Sequence, residues 1–166
     1  MTSTLLIEVF DAAAIGFLLY AAARDILLRS VPNRVSVAIA CIGLSIHLAC
    51  GGAVTCLLVA TLVLAVTVLL WKLGMMGGAD AKLIPAVTML LPSSHVPELL
   101  ICVAFSGGVL SAFYLALRHL PVLARRRNSV ALLRRLRIEQ RRARRADALP
   151  YVVAICAGTL IALAKG

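Results

Sequence analysis

The chain has 166 residues, of which 62% are hydrophobic and only 14% charged, and its formal net charge is +10. Its mean hydropathy is +1.01, whereas a soluble domain is about half apolar and about a quarter charged. That excludes an ordinary water-soluble globular enzyme and predicts a polytopic membrane protein.

The first apolar segment, Leu5–Ala23, ends in Ala21-Ala22-Ala23, which looks like a signal-peptide cleavage site. A signal peptide needs a basic leader, and the residues before this point include Glu8 and Asp11 but no lysine or arginine. The segment is therefore expected to be a retained span with its N-terminus outside. Glu8 and Asp11, one turn apart at its outer end, read as a pair snorkelling to the interface.

A connection carrying Arg24, Arg29 and Arg34 leads to a second segment, Val35–Cys50, and a third, Ala53–Trp71. The stretch GMMGGADAKL, Gly74 to Leu83, then interrupts the hydrocarbon with glycines, a carboxylate and a lysine. The fourth segment, Ala81–Leu91, has eleven residues, about 16 Å of helix against a hydrocarbon thickness of about 30 Å. The fifth and sixth are Val96–Leu117 and Leu149–Ala164. Cys41, Cys50, Cys56, Cys102 and Cys156 are scattered through these segments with neither a CxxC pair nor zinc-ligand spacing. They read as small hydrophobes packed between helices, not a metal site or disulfide framework.

Charge decides whether the short segment crosses. Between the fifth and sixth segments, residues 118–147 hold eleven arginines. The positive-inside rule places both this connection and the one after the first span in the cytoplasm, which requires an even number of crossings between them. Segment four must then cross, lengthened at either end by Asp80 or by Pro92 and its neighbours, or in a thinned bilayer. The expected fold is an all-α bundle of six transmembrane helices with both termini outside. Sixteen of the seventeen basic residues then fall inside, leaving Lys165 as the exception. The basic connection reads in part as an amphipathic helix anchored on anionic inner-leaflet lipid. It has no interleaved aromatics, so nucleic acid is not an expected partner.

Of seven acidic residues, Glu98 lies in an outer connection and Glu139 and Asp147 lie among arginines. Asp25 and Asp80 differ. One ends the first span and the other opens the fourth, so the topology sets both at the same depth on the inner face. Asp11 is fourteen residues from Asp25 on one helix, about 21 Å, too far to share a water with it. Each of the two has an ordinary explanation: Asp80 as a helix N-cap, Asp25 as a partner of Arg24 or Arg29. Together they suggest more, because ionisable groups in a membrane protein are functional candidates. Two adjacent carboxylates cannot both ionise cheaply, so one keeps a proton while the other acts as a base. That is aspartic-protease chemistry, which needs no metal or other cofactor. Gly77 and Gly78 would let backbone approach a substrate. Pro85 would strip the Ala81 carbonyl of its helical donor, and Gly107 and Gly108 read as a close-packing site in span five.

At these residues the chain resembles the GxGD-type prepilin peptidases. GGADAKL is similar to the family motif that ends in one catalytic aspartate, here Asp80. DILLRSVPNRVS is similar to the motif carrying the other, with Asp25, Pro32 and Asn33 in place. ALPYVVAICAG is similar to the family's closing element through Leu149, Pro150, Tyr151, Ala154 and Gly158. One departure is Ala79, where the motif has glycine before its aspartate.

The resemblance implies a single transmembrane peptidase domain over residues 1–166, with residues 118–147 a basic cytoplasmic connection. Asp25 and Asp80 would be catalytic, with Gly77, Gly78, Ala79, Lys82, Pro32 and Asn33 in support. The implied substrate is a prepilin, cleaved of its basic leader at the cytoplasmic face of a bacterial inner membrane. By size the chain is most similar to the small enzymes of tight-adherence (Tad/Flp) pili. It lacks the paired-cysteine segment of the larger enzymes that also N-methylate pilins.

Other readings make different demands. Presenilin-like and signal-peptide-peptidase-like proteases carry Tyr-Asp on the first catalytic helix, where this chain has Arg24-Asp25. A Mg²⁺-dependent lipid phosphotransferase needs more acidic ligands than two. An ion conductor needs carboxylates along a path across the membrane. A non-catalytic subunit of a pilus or secretion assembly would tolerate asparagine at both positions.

Overall fold

The computed structural model describes residues 2–119 and 149–165, and among these it is all helix and turn. Helix α1 spans Thr2–Leu28, α2 Asn33–Cys50, α3 Ala53–Lys72, α4 Asp80–Thr88, α5 Val96–His119 and α6 Tyr151–Leu163. A single 3₁₀ turn, Ser93–His95, precedes α5. The predicted amphipathic helix and most of the basic connection, from residue 120 onward, lie outside the described residues.

The boundaries follow local chemistry. Helix α1 ends where Arg29 takes a left-handed conformation (φ 51°) and its N–H bonds the Asp25 carbonyl at 3.0 Å. Pro32 then starts α2, with its fixed φ of −65° and its carbonyl accepting from the Val35 N–H. Gly51 closes α2 at φ 80°, the left-handed cap that glycine takes without a Cβ penalty.

Two compact units are present: residues 1–106 with 150–166, and residues 107–149. In the second, the described part continues α5, where the Phe113 and Tyr114 rings meet edge to face with centroids 6.0 Å apart. Of the two glycines expected to pack closely in span five, Gly108 has open space around it, whereas Gly107 is buried.

The first unit is built around α4. Leu83, Ile84, Ala86 and Val87 are buried against Leu18 and Ala21 of α1, Ile39 of α2, Leu99 of α5 and Ile155 of α6. Close packing falls on Gly43 and Gly158. A Cβ on Gly43 would sit 2.3 Å from the Met89 carbonyl oxygen, and one on Gly158 would sit 2.5 Å from Val103 Cα. Small residues at helix crossings are how membrane helices approach closely.

The fourth segment gains Asp80 at its start but stops at Thr88, nine residues and about 14 Å. Pro92 disfavours helix at the residue before it, and Met89 and Leu90 close with i→i+3 turns. Irregular backbone is tolerated at membrane depth where protein covers it. Leu90 and Leu91 are buried, and buried His47 donates from Nε2 to the Leu91 carbonyl at 3.2 Å. By length and composition, three described stretches suit a membrane span: Asn33–Cys50, Ala53–Lys72 and Ser93–His119. Helix α1 is longer, at 27 residues, but carries Glu8, Asp11, Arg24 and Asp25. Exposed leucines along α3, among them Leu58, Leu62 and Leu69, form the apolar surface that lipid would cover.

Candidate active site

Ala14, Leu18, Ala21 and Asp25 follow one another at spacings of four, three and four on α1, and all four are buried. Asp25 therefore continues the core-facing stripe. Arg24 turns the other way, its Nη1 donating to the Tyr20 hydroxyl at 3.1 Å. The Asp25 carboxylate is held by α6: the Val152 N–H, in the first turn of that helix, donates to Oδ2 at 3.3 Å. First-turn N–H groups have no partner within their own helix, so they favour an anion.

Asp80 opens α4 and is half-buried. It does not cap its own helix, whose start carries no side-chain cap. Its carboxylate turns back to the Gly77 N–H, and a Cβ on Gly77 would lie 2.7 Å from Asp80 Oδ2. A side chain at residue 77 would push that carboxylate aside. Ala79 has φ −71° and ψ −45°, ordinary right-handed backbone that alanine adopts freely. Gly78 packs beneath Trp71, whose Nε1 would be 3.3 Å from a Cβ there.

Both carboxylates lie beyond the ends of the apolar segments Leu5–Ala23 and Ala81–Leu91. Burial, reinforced by the Asp25 charge, pushes Asp80 up to about 6 against the pull of the Gly77 N–H. Burial also raises Asp25, opposed by the Val152 N–H and the Arg29 charge. The two are close enough to sense each other's charge, with Asp80 the group that keeps a proton longer. Tyr151, first residue of α6, is within electrostatic reach of Asp80. The site is thus assembled from the end of α1, the start of α4 and the start of α6.

The other expected residues divide. Pro32 begins α2. Asn33 meets Lys82, whose Nζ donates to its Oδ1 at 3.2 Å. Among the described residues no third His, Cys, Asp or Glu joins the pair to make a metal site.

Thr67 of α3 is a site residue that the sequence did not single out. Pro85 has no N–H for the Ala81 carbonyl, and Thr67 Oγ1 lies 2.9 Å from that carbonyl oxygen. The hydroxyl is also 3.0 Å from the Val63 carbonyl and 3.1 Å from that of Leu64. It has one proton, and Ala81 has the acceptor left without a helical donor. Thr67 so ties the residue after Asp80 to α3. The Val152 N–H was equally unsignalled, because a main-chain donor leaves no mark in side-chain identity.

An all-helical membrane protein with two carboxylates converging from separate helices is what this fold and site define. Residues 12–112 match the family model described as the type IV leader peptidase family. The chain belongs to that family and is a membrane peptidase, and membership implies a prepilin as substrate. No curated protein and no solved structure matches it.

Proposed function

We propose that this protein is an aspartic endopeptidase that removes the basic leader from type IV prepilins, of the Tad/Flp kind, at the cytoplasmic face of the inner membrane. The observation that carries the reading is the convergence of Asp25 and Asp80, one anchored by the Val152 N–H and the other by the Gly77 N–H.

In this mechanism ionised Asp25 takes a proton from a water, whose oxygen attacks the scissile carbonyl carbon. Protonated Asp80 donates to the carbonyl oxygen as it becomes tetrahedral. Proton transfer to the leaving nitrogen then lets the carbon–nitrogen bond break. A substrate helix seated over the site would expel water and push Asp80 further up, favouring the singly protonated pair at neutral pH.

A six-crossing topology with both termini outside is part of the proposal. It draws support from the ion pair between Lys165 and Glu98 at 3.2 Å, which brings the end of α6 to the start of α5. The absence of a paired-cysteine segment favours the small enzyme class without N-methylation. Co-expression with a pilin precursor tests the reading. The wild type should shorten the precursor by its leader, whereas Asp25→Asn and Asp80→Asn should each leave it full length. Cleavage that persists in either variant overturns it.

A further inference from the structure

A groove of about 310 Å³ runs between α2, α3 and α4, on the side of α4 away from the carboxylate pair. Asn33, Ser36 and Lys82 mark one end, while Val37, Leu57, Leu64 and Met89 belong to its apolar lining. Along α4 and the turn that follows it, the lining runs from Lys82 to Met89, about 10 Å along the axis. Its walls are apolar over that length, as an extended hydrocarbon chain at ordinary carbon–carbon contacts of about 4 Å requires.

The polar end has its own chemistry. Lys82 is exposed, and its hydrogen-bond partner is the neutral amide oxygen of Asn33, which leaves the ammonium charge uncompensated by that contact. With Oδ1 engaged, the Asn33 amide nitrogen is available to donate, and the Ser36 hydroxyl lies one turn further along α2. These three donors, one of them the Lys82 cation, stand at the head of an apolar groove and match a phosphodiester with an acyl tail. The tail gains little over bulk lipid, since lipid is as apolar as the channel. Selectivity must therefore come from charge-assisted hydrogen bonds to the headgroup.

We propose that this groove binds one anionic phospholipid, its phosphate on Lys82, Asn33 and Ser36 and one acyl chain along α3 and α4. Because Pro85 and Ala86 form part of the lining, the bound lipid would brace the helix that carries Asp80. The proposal does not depend on the proposed proteolysis.

The test uses the full chain carrying a photo-reactive residue at Thr61, in vesicles of phosphatidylcholine with phosphatidylglycerol as the minor component. A second preparation carries the probe at Leu62, an exposed position outside this groove's lining. The Thr61 probe should capture phosphatidylglycerol about fivefold above the Leu62 probe, the preference that one lysine near an anionic headgroup supports. Lys82→Gln should abolish the excess and Lys82→Arg should retain it. Equal capture at the two probes makes the groove an ordinary lipid-facing surface and overturns the proposal. An adduct to a second copy of the chain, or to added prepilin, overturns it in favour of a protein-docking face.

Discussion

The Val152 N–H and the Asp25 carboxylate, 127 positions apart in sequence, meet at 3.3 Å. The contact joins the last turn of α1 to the first turn of α6, orienting one carboxylate through a main-chain donor that ordinary side-chain substitutions leave in place. Proline removes it, and the first turn of a helix tolerates proline. Val152→Pro should leave the protein folded but weaken the ionised form of Asp25. The acidic limb of the kcat/KM profile should move to higher pH, while Val152→Ala should not shift it.

Asp80, at about 6, sets the other limb. Loss of its proton removes the acid of the pair, so kcat/KM should fall as pH rises through about 6, giving a bell. The two apparent values belong to the pair and are to be read from a pH series on one precursor.

The same carboxylate makes a stability prediction. Its folded value lies above the ordinary aspartate value of 3.8, so the folded state binds more protons than the unfolded state between these two pH values. Stability contributed by this group therefore falls as pH rises through that window and stays lowered above it. Asp80→Asn should raise the Tm in detergent at pH 7 while abolishing cleavage. The gain should vanish below pH 3.8, where the carboxyl is protonated in both states.

Thr67 and Pro85 should be energetically coupled. Thr67→Val leaves the Ala81 carbonyl without its cross-helix donor, at a cost of about 1–3 kcal/mol for a buried unsatisfied group, and should lower cleavage. Thr67→Ser should restore both. In a Pro85→Ala background the helix supplies its own N–H, and Thr67→Val should then cost less than half as much in a double-mutant cycle.

Glycine positions can be ranked by measured folded yield. Gly43→Ala and Gly158→Ala place a methyl within 2.3–2.5 Å of neighbouring backbone, and overpacking of this kind costs about 1–3 kcal/mol or more. Both should lose most of the folded protein. Gly16→Ala and Gly108→Ala, with open space around each, should be silent.

Much of the helix layout is written in one-dimensional patterns. Apolar runs separated by Pro32, Gly51-Gly52 and Gly74–Gly78 predict breaks within a few residues of those found, because hydropathy and turn chemistry act locally. Asp25 and Asp80 stand out as carboxylates at helix ends, but the buried face of α1 is not legible, because that helix is apolar on every side. Lys82 and Asn33 are near those aspartates in sequence, yet the helices turn them toward a different groove. Sequence proximity does not specify which face a helix presents. Helix α4 stops at Thr88, since burial by neighbours relieves it of the need to span hydrocarbon alone.

What the amino-acid order determined by itself was a helical membrane chain with two candidate acids and a hinge before the second. Tertiary structure decided which donors hold those acids, that Thr67 repairs the bond Pro85 breaks, and that glycines 43 and 158 carry the crossings. The reason is physical: hydropathy and turn preference operate over a few residues, whereas a main-chain N–H or a carbonyl acquires its meaning only from what folding brings against it.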